Sequence, residues 1–482
     1  LRFKYIFKPV IIFILVMSAT VAYFMNNYGI VIDVQMIHNT FETDSSEVRD
    51  LLSYKLFLYI LFLGLLPAIV VSRLQLTYRP VTRQLISNLA VISLSGIAII
   101  VNFIVFSADY ASLFRNHHEI RYLINPANYI YSTGKYFSEA LSHNKKSITP
   151  IGLDATQLQK IGNSKHDVLV LVVGETARAQ NFSLNGYNKP TNPLLSKEDI
   201  ISYPHFHSCG TSTHTSLPCM FSHFTRHDFD ESDAPYYENL TDVLRHAGIN
   251  VAWRDNNSGC KGVCKNVKTE QMKHLHIDTV CNERECFDEV LLDHLQQQIE
   301  SATSDMVIVL HQNGSHGPAY YLRYPESFKK FTPVCETNDL SSCDHESLLN
   351  AYDNTIAYTD YFLSRIINLL KNETGNLNAA MIYVSDHGES LGENNIYLHS
   401  MPYIVAPQEQ THVPYISWFS DEFLADHHLN KQCLKQHASE SYSHDYLFHS
   451  VLGLMNVSSN IYKPNLDIYA NCRQNYAQLS IK

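Results

Sequence analysis

Three long windows near the start of the chain are apolar and contain no charged residue. They cover Pro9–Ile32, Leu56–Ser72 and Gln84–Ala108, and are rich in Ile, Leu, Val and Phe. A helix that crosses a bilayer needs about 20 apolar residues, with a range of about 17–25. Buried core helices are the alternative, but three such windows in series favour membrane spans. A cleaved signal peptide would explain only the first window.

The charges that flank these windows predict the orientation of the chain. The segments before the first span and between the second and third spans are basic, whereas the loop between the first two spans is acidic. Basic loops stay in the cytoplasm, so everything after about Ser107 should be extracytoplasmic. Because the chain begins with Leu1 and not with Met, we expect further spans to precede it.

A connecting region separates the spans from a large outer domain. Tyr110–Phe137 is rich in Tyr and Phe with interleaved Arg and Lys. Such a segment favours the headgroup layer of a membrane, and a solvent-exposed helical linker is the alternative. A polar run, Ser142–Lys165, follows. We therefore predict transmembrane helices over residues 1–108, interfacial helices and a linker over 109–165, and an extracytoplasmic domain over 166–482.

Short apolar runs separated by helical patterns characterise the outer domain. The runs read as the fully buried strands of a parallel sheet, at Val168–Val173, Met306–Leu310 and Ala380–Val384. The helical patterns cover Tyr236–Ala247, Cys286–Glu300 and Glu346–Leu370. This alternation predicts an α/β sandwich, in which ligands bind beyond the carboxyl ends of the strands.

The cysteines agree with an oxidising compartment. All ten follow Arg115, and an even number outside the membrane part is typical of a disulfide set. We expect nearest neighbours along the chain to pair: Cys209/Cys219, Cys260/Cys264, Cys281/Cys286, Cys335/Cys343 and Cys433/Cys472. A zinc–cysteine site is the alternative, because CKGVC has the spacing of a zinc finger.

The charge of the outer part argues against a nucleic-acid partner. After Asn116 the chain carries 27 Lys and Arg against 41 Asp and Glu, a net charge of -14. A nucleic-acid binder would present a basic face.

Acids and imidazoles follow each of the three predicted strands. Glu175 follows the first in GETARAQ, His311 and His316 follow the second in HQNGSHGPAY, and Asp386 and His387 follow the third in SDHGES, with His399 twelve residues later. Taken singly, each has a simpler explanation as a helix N-terminal carboxylate or an Asx turn. Together they supply two carboxylates and an imidazole at one sheet edge, which is a zinc ligand set that lacks its fourth member.

A hydroxyl-rich loop offers that fourth ligand. CGTSTHTSLPC, from Cys209 to Cys219, holds five hydroxyls and a histidine between two cysteines. A Ser/Thr-rich turn is the alternative to a catalytic loop. Zinc lowers the pKa of bound water to about 7 from 15.7, and it would likewise activate a bound Ser or Thr hydroxyl as a nucleophile. Spacing alone leaves open which hydroxyl is used.

Several motifs resemble the phosphoethanolamine transferases that modify lipid A, which include the mobile colistin-resistance enzymes. They are GET, CGTST followed by PCMFS, NGSHGPAY, SDHGESLGENNIYLH and, in the first outer loop, MIHNTFETDSSEVRDL. The likeness covers essentially the whole chain. It implies five spans, two of them upstream of Leu1, and an alkaline-phosphatase/sulfatase-like α/β/α sandwich as the catalytic domain.

The resemblance also implies roles for particular residues. Thr213 matches the nucleophile and zinc ligand, and Glu175, Asp386 and His387 match the other ligands. The remaining matches are His316 and His399 for the substrate phosphate or a second zinc ion, Lys261 for substrate binding, and Asn39, Thr43 and Glu47 for outer-loop positions that face the pocket. A simple polar loop is the alternative for the last three. His214 departs from the family pattern, and it either perturbs the pocket or points away.

The activity implied is ping-pong transfer of phosphoethanolamine from phosphatidylethanolamine to lipid A through a phospho-threonine. One tightly bound zinc ion is expected, with a second during turnover. The resemblance further implies a monomer in a bacterial inner membrane with a periplasmic catalytic domain, and resistance to polymyxins. The alternatives are another acceptor such as a periplasmic glucan or a core sugar, glycerol-phosphate transfer, and a metal-dependent sensor without turnover. A sulfatase is disfavoured because SLPCM lacks the arginine of the Cys/Ser-x-Pro-x-Arg signature.

Overall fold

Helices form the first part of the chain, and a large sheet with flanking helices forms the rest. The computed structural model describes residues 6–43, 45–76, 81–106, 122–143, 147–158, 165–275, 277–282, 285–373 and 377–473. The chain divides into two compact units. The first comprises Leu1–Ile37 and Leu52–Ser138, and the second comprises His38–Leu51 and Glu139–Lys482. The predicted domain boundaries at residues 108 and 165 stay predictions.

The helices before the sheet are α1 to α6: Phe7–Tyr28, Val34–Glu42, Ser45–Leu51, Tyr54–Arg73, Val81–Val105 and Ala127–His143. Three stretches are long and apolar enough to cross a membrane, namely Phe7–Tyr28, Tyr54–Arg73 and Leu85–Val105, so the three predicted helical windows are confirmed. Gly64 allows α4 to approach α1 closely, since a Cβ atom there would lie 3.2 Å from the Val16 Cα. The predicted interfacial segment lies outside the described residues from Tyr110 to Arg121.

Eight strands of the second unit form one sheet. They are β1 to β8: His166–Gly174, Ile201–His207, Asn250–Asp255, Lys268–Gln271, Met306–His311, Leu377–Ser385, His412–Phe419 and Tyr442–Ser443. The spatial order is β8-β2-β7-β6-β1-β5-β3-β4. The pairs on either side of β7 are antiparallel and the other pairs are parallel. The sheet is therefore mixed, within the α/β fold class expected.

The helices of this unit are α7 to α14: Thr213–Met220, Leu240–His246, Leu295–Glu300, His345–Glu373, Gln408–Thr411, Asp421–Asp426, Lys431–His437 and Leu447–Leu454. The longest, α10, buries most of its length. The central strand β1 is apolar throughout Val168–Val173 and fully buried, as expected for a strand covered on both faces. These strands and helices form the core that supports the carboxyl-terminal edge of the sheet.

The sequence predictions for the sheet are confirmed, and those for the helices are confirmed in part. All three predicted strands lie within β1, β5 and β6, and α10 contains Glu346–Leu370. Within Tyr236–Ala247, only Leu240–His246 is α-helical. The prediction of one helix over Cys286–Glu300 is wrong. A 3₁₀ turn, Asp288–Leu292, precedes the short α9, and His294 between them adopts φ +52°.

Asp288, the first residue of the 3₁₀ turn, has a buried carboxylate that contacts the segment after β5. Its two oxygens accept hydrogen bonds from the backbone N–H groups of Asn313 at 2.8 Å and Gly314 at 3.0 Å. These bonds satisfy two backbone N–H groups of the turn after β5.

Five disulfides connect the ten cysteines, and the nearest-neighbour pairing is confirmed for all of them. The alternative of a zinc–cysteine site at Cys260 and Cys264 is wrong, because these two sulfurs form a disulfide with each other. Four of the disulfides join cysteines 4 to 10 positions apart, and Cys433–Cys472 joins residues 39 positions apart. The Cys209–Cys219 disulfide is the one that closes the hydroxyl-rich loop.

Gly388 provides a steric test of the packing at the sheet edge. A Cβ atom at this position would lie 2.0 Å from the Glu409 carbonyl oxygen. We expect Gly388→Ala to destabilise the protein by about 3 kcal/mol or more and to displace His387. Gly186→Ala is the matched control: nothing lies within 4 Å of that position, so only its φ of +96° opposes the substitution, at about 1 kcal/mol. Thermal denaturation of both variants checks this, and equal losses would contradict the steric explanation.

Candidate functional site

The carboxyl ends of three parallel strands align at one edge of the sheet. Gly174 of β1 is in register with Ser385 of β6, and Val173 is in register with His311 of β5. The residues that follow these strands therefore meet: Glu175 and Asp386 are both fully buried there. The Asp386 N–H donates to the Gly174 carbonyl at 3.0 Å, which extends the strand pairing up to the site.

The hydroxyl-rich loop places Thr213 over this edge. Thr213 is the first residue of α7, and its Oγ1 donates to Glu175 Oε2 at 3.0 Å and lies 3.4 Å from His387 Nε2. The loop is held by the Cys209–Cys219 disulfide and by a bond from the Cys209 N–H to His444 Nδ1 at 3.0 Å. Of the hydroxyls in the loop, it is thus Thr213 that reaches the acidic cluster.

The acidic cluster fits a divalent cation. Glu175, Asp386 and His387 each offer one ligand atom, and these atoms lie within 4.8 Å of one another. The remaining oxygens, Glu175 Oε1 and Asp386 Oδ2, are buried without a hydrogen-bond partner among the described residues, and each lies 3.4 Å from His387 Nε2. Two carboxylates, one imidazole and the Thr213 hydroxyl match the four-coordinate nitrogen and oxygen sets that bind zinc.

The electrostatics of the protein groups support the same interpretation. Burial and the neighbouring Asp386 carboxylate raise the pKa of Glu175 to about 8, and burial raises the pKa of Asp386 to about 6. Burial lowers the pKa of His387 to about 4, so its imidazole is neutral and able to ligate. Buried carboxylates whose charge the protein does not balance are typical of a site that takes a positive ion.

Two further predicted residues, His316 and His399, lie together beside this cluster. Their rings are 5.4 Å apart, and the His399 ring is 4.5 Å from that of His387. His399 Nδ1 meets Glu389 Oε2 at 2.8 Å, and Tyr320 donates to the other Glu389 oxygen at 2.6 Å. Burial lowers the pKa of His399 to about 4. Glu389 thereby fixes the orientation of the His399 ring.

The outer-loop residues and Lys261 have different surroundings. Asn39 donates to the Ser400 hydroxyl at 2.8 Å, next to His399 in the chain, whereas the Thr43 hydroxyl donates to the Asn39 carbonyl of its own helix at 2.6 Å. Glu47 contributes to the electrostatic environment of Arg323. Lys261 pairs with Glu42, Nζ to Oε2, at 3.0 Å. Of this group, Asn39 is hydrogen-bonded to the neighbour in the chain of a predicted histidine.

His214, the departure from the family pattern, points toward Glu42. Its Nδ1 lies 3.1 Å from Glu42 Oε1. Burial alone would raise the pKa of Glu42, but His214 and Lys261 together lower this pKa to about 2. Glu42 therefore stays ionised at neutral pH.

Sequence reasoning missed two residues of the site, Asn257 and Glu389. Asn257 donates to Glu175 Oε2 and to the Gln312 carbonyl, both at 2.8 Å, and Glu389 orients His399. His311, which was predicted to follow the second strand, is fully buried, and its Nδ1 pairs with Asp255 at 3.0 Å. The available signal was DNNSGC, a polar run directly after β3; because β3 itself contains Arg254 and Asp255, it does not read as a buried apolar strand.

The fold and the residues at this sheet edge define the class of the protein. A family model for sulfatases matches residues 167–457, which span β1 to the end of α14. The described structure thus contains a sulfatase-type α/β domain with acids, an imidazole and a hydroxyl at its carboxyl-terminal edge.

The chain belongs to the phosphoethanolamine transferase family. The family model described as phosphoethanolamine transferase EptA/EptB matches residues 1–141. Phosphoethanolamine transferase EptA of Escherichia coli strain K12 is 41% identical over 98% of this chain and 87% of its own length. Phosphatidylethanolamine transferase Mcr-1 of Escherichia coli is 42% identical over 86% of this chain and 79% of its own length.

A solved structure extends this likeness to three dimensions. The integral membrane protein lipooligosaccharide phosphoethanolamine transferase A of Neisseria meningitidis superimposes with a TM-score of 0.93 at 40% identity, and the match covers 98% of this chain and 88% of that one. The resemblance and the α/β class derived from the sequence are therefore confirmed.

Zinc uptake at this cluster should release protons. A ligand carboxylate must lose its proton before it binds metal, and Glu175, with its pKa raised to about 8, still holds that proton at pH 7. We expect release of about one proton per zinc ion at pH 7, and apparent affinity that rises between pH 6 and pH 8 and then levels off. Titration calorimetry in buffers of different ionisation enthalpy measures this.

The control for this measurement is Glu389→Gln. Burial also raises the pKa of Glu389 to about 8, but this residue lies outside the candidate ligand set. The variant should release the same number of protons as the wild type. Zinc binding at pH 7 without proton release would contradict the involvement of Glu175.

Proposed function

We propose that this chain is a zinc-dependent transferase that moves phosphoethanolamine from phosphatidylethanolamine to lipid A through a phospho-threonine at Thr213. The observation that carries this proposal is the position of Thr213 Oγ1, 3.0 Å from Glu175 Oε2 and 3.4 Å from His387 Nε2. A nucleophile-capable hydroxyl held against a cation-binding cluster fits covalent phosphoryl transfer better than a passive binding role.

The names of the relatives support both substrates. Mcr-1 is named a phosphatidylethanolamine transferase, and a further Escherichia coli relative that is 26% identical to this chain is named Kdo(2)-lipid A phosphoethanolamine 7''-transferase. The described chain offers three helices able to span a membrane, which suits an enzyme whose donor and acceptor are both lipids. A membrane anchor raises the encounter frequency with such substrates.

The metal would be held by Glu175, Asp386, His387 and Thr213. When bound, zinc would lower the pKa of the threonine hydroxyl and neutralise charge on the phosphate. The cluster is fully buried apart from Thr213, so these side chains keep their positions when substrate arrives. The N-terminus of α7 carries backbone N–H groups and a partial positive charge beside the same hydroxyl, and both favour an anionic phosphate there.

The reaction then proceeds in two displacements. In the first, the Thr213 hydroxyl loses its proton to solvent and Oγ1 forms a bond to phosphorus while the bond from phosphorus to the glycerol oxygen breaks, and diacylglycerol leaves with a proton. His316 lies beside the cluster to supply that proton, whereas His399, whose pKa burial lowers to about 4, is neutral and would instead contact the phosphate. In the second, an ionised phosphate oxygen of lipid A bonds to phosphorus while the bond from phosphorus to Thr213 Oγ1 breaks, and Oγ1 takes up a proton, which regenerates the enzyme. Positioning and charge neutralisation carry most reactions of this kind.

The compartment and the physiological effect follow from the same chemistry. Basic loops flank the first and third spans, which puts the catalytic domain on the outer, periplasmic side of a bacterial inner membrane. Five disulfides suit that oxidising compartment. An added ethanolammonium group reduces the negative charge of lipid A, so cationic polymyxins such as colistin would bind less tightly.

Intact mass spectrometry of the full chain tests the covalent step. We expect zinc-loaded wild-type protein, incubated with phosphatidylethanolamine in detergent, to gain about 123 Da, the mass of one phosphoethanolamine group. Thr213→Ala should show no gain, and its zinc content and thermal stability report whether the site and fold remain intact. Thr213→Ser is the matched control, since it retains a hydroxyl and should form the adduct more slowly.

The identity of the acceptor distinguishes the proposed lipid A transferase from a transferase that acts on another acceptor. Added lipid A should accept the phosphoethanolamine group, so that the wild-type adduct returns to its original mass and lipid A gains that mass. A periplasmic glucan or a core sugar should leave the adduct unchanged. A persistent adduct on Thr213→Ala would move the nucleophile to another hydroxyl of the loop. Transfer to a glucan but not to lipid A would replace the acceptor and leave the covalent chemistry intact.

A further inference from the structure

A second cluster of metal-binding side chains lies beside the nucleophile loop. His38 and Glu42 of α2 and His214 of α7 each offer one ligand atom, and these atoms lie within 4.8 Å of one another. All three residues belong to the second unit of the chain. The cluster shares no residue with Glu175, Asp386 and His387.

The local structure brings these side chains together from two helices. His38 and Glu42 are four residues apart in α2, so their side chains lie on the same helix face. His214 is the second residue of α7, and its ring stacks on that of His38 with centroids 4.4 Å apart and planes inclined by 22°. A carboxylate oxygen and two imidazoles thereby converge.

His214 presents a buried ring nitrogen to the Glu42 carboxylate. Its Nδ1 is buried and lies 3.1 Å from Glu42 Oε1, yet it makes no hydrogen bond of acceptable geometry with the described residues. A ring nitrogen that faces a carboxylate oxygen off the hydrogen-bonding direction is suited to share a metal ion with it.

We propose that His38, Glu42 and His214 bind a divalent transition-metal ion, for which zinc is the expected occupant. Two imidazoles and one carboxylate are a known three-residue zinc set, which leaves a position open for water or another oxygen ligand. The bound ion fastens α2, in the segment between the first two candidate spans, to the helix that begins with Thr213.

Lys261 is the competitor for Glu42. Its Nζ lies 3.0 Å from Glu42 Oε2, so an ordinary ion pair is the simpler explanation of the cluster. The two explanations make opposite predictions for Lys261→Gln. If the cluster binds metal, removal of the ammonium group removes a repulsive charge, and zinc affinity should rise about fivefold or more. If the cluster is only an ion pair with Lys261, this variant should gain no zinc affinity.

Zinc content of the full chain in detergent, measured by elemental mass spectrometry at buffered free zinc, tests the proposal. We expect the wild type to hold one more zinc ion per chain than His38→Gln/His214→Gln. His207→Gln/His412→Gln is the matched control, because these rings also stack, with centroids 5.4 Å apart, but form no candidate metal cluster among the described residues. This control should hold as much zinc as the wild type.

Two further variants keep the result interpretable. His316→Gln/His399→Gln identifies any zinc held by those two histidines, so that its loss is not assigned to the cluster. If the His38/His214 variant fails to fold, Glu42→Gln and Lys261→Gln decide the matter, since they should shift zinc affinity in opposite directions. Equal zinc content and affinity in the wild type and the cluster variants would overturn the proposal, as would an equal loss in the His207/His412 control.

Discussion

The concentration of negative charge at the end of β1 and β6 is the constraint on which the rest of the site depends. Glu175 and Asp386 are fully buried side by side, and no Lys or Arg in the described part of the chain forms an ion pair with either. Burial of an unbalanced carboxylate costs several kcal/mol. The protein therefore either keeps a proton on this pair or holds a cation there, and the neutral imidazole of His387 makes the cation the better partner.

The sheet provides the rigidity that such a strained arrangement requires. Backbone hydrogen bonds continue past the strand ends, from Gln312 N–H to the Val173 carbonyl and from Ser315 N–H to the Glu175 carbonyl, both at 3.0 Å. Gly314 permits this close approach, because a Cβ atom there would lie 2.6 Å from the Glu175 carbonyl oxygen. The carboxylate of Glu175 is thus fixed through its main chain, and Asn257 fixes it again through its side chain.

The sequence was informative where a side chain follows an apolar strand and uninformative where a contact joins distant segments. Glu175, Asp386 and His387 were predictable because apolar runs identify buried strands, and parallel strands end at one edge. The strands β2 and β7 were not predicted because each contains a proline and at least one histidine, which mask the apolar pattern. The hydrogen bond from Asn39 to Ser400 joins residues 361 positions apart, and no local pattern encodes such a pair.

The outer-loop segment from His38 to Leu51 explains how the two catalytic histidines of the proposal are supported. Arg323 donates to the His316 carbonyl at 2.8 Å and pairs with Asp50 of α3 at 2.7 Å and with Glu285. Asn39 meets Ser400, the neighbour of His399. Removal of one partner from a buried ion pair is costly, so the segment and the backbone at His316 are held together. A loop between two membrane helices is thereby part of the framework of the site, which gives the chain a structural reason to keep that loop polar.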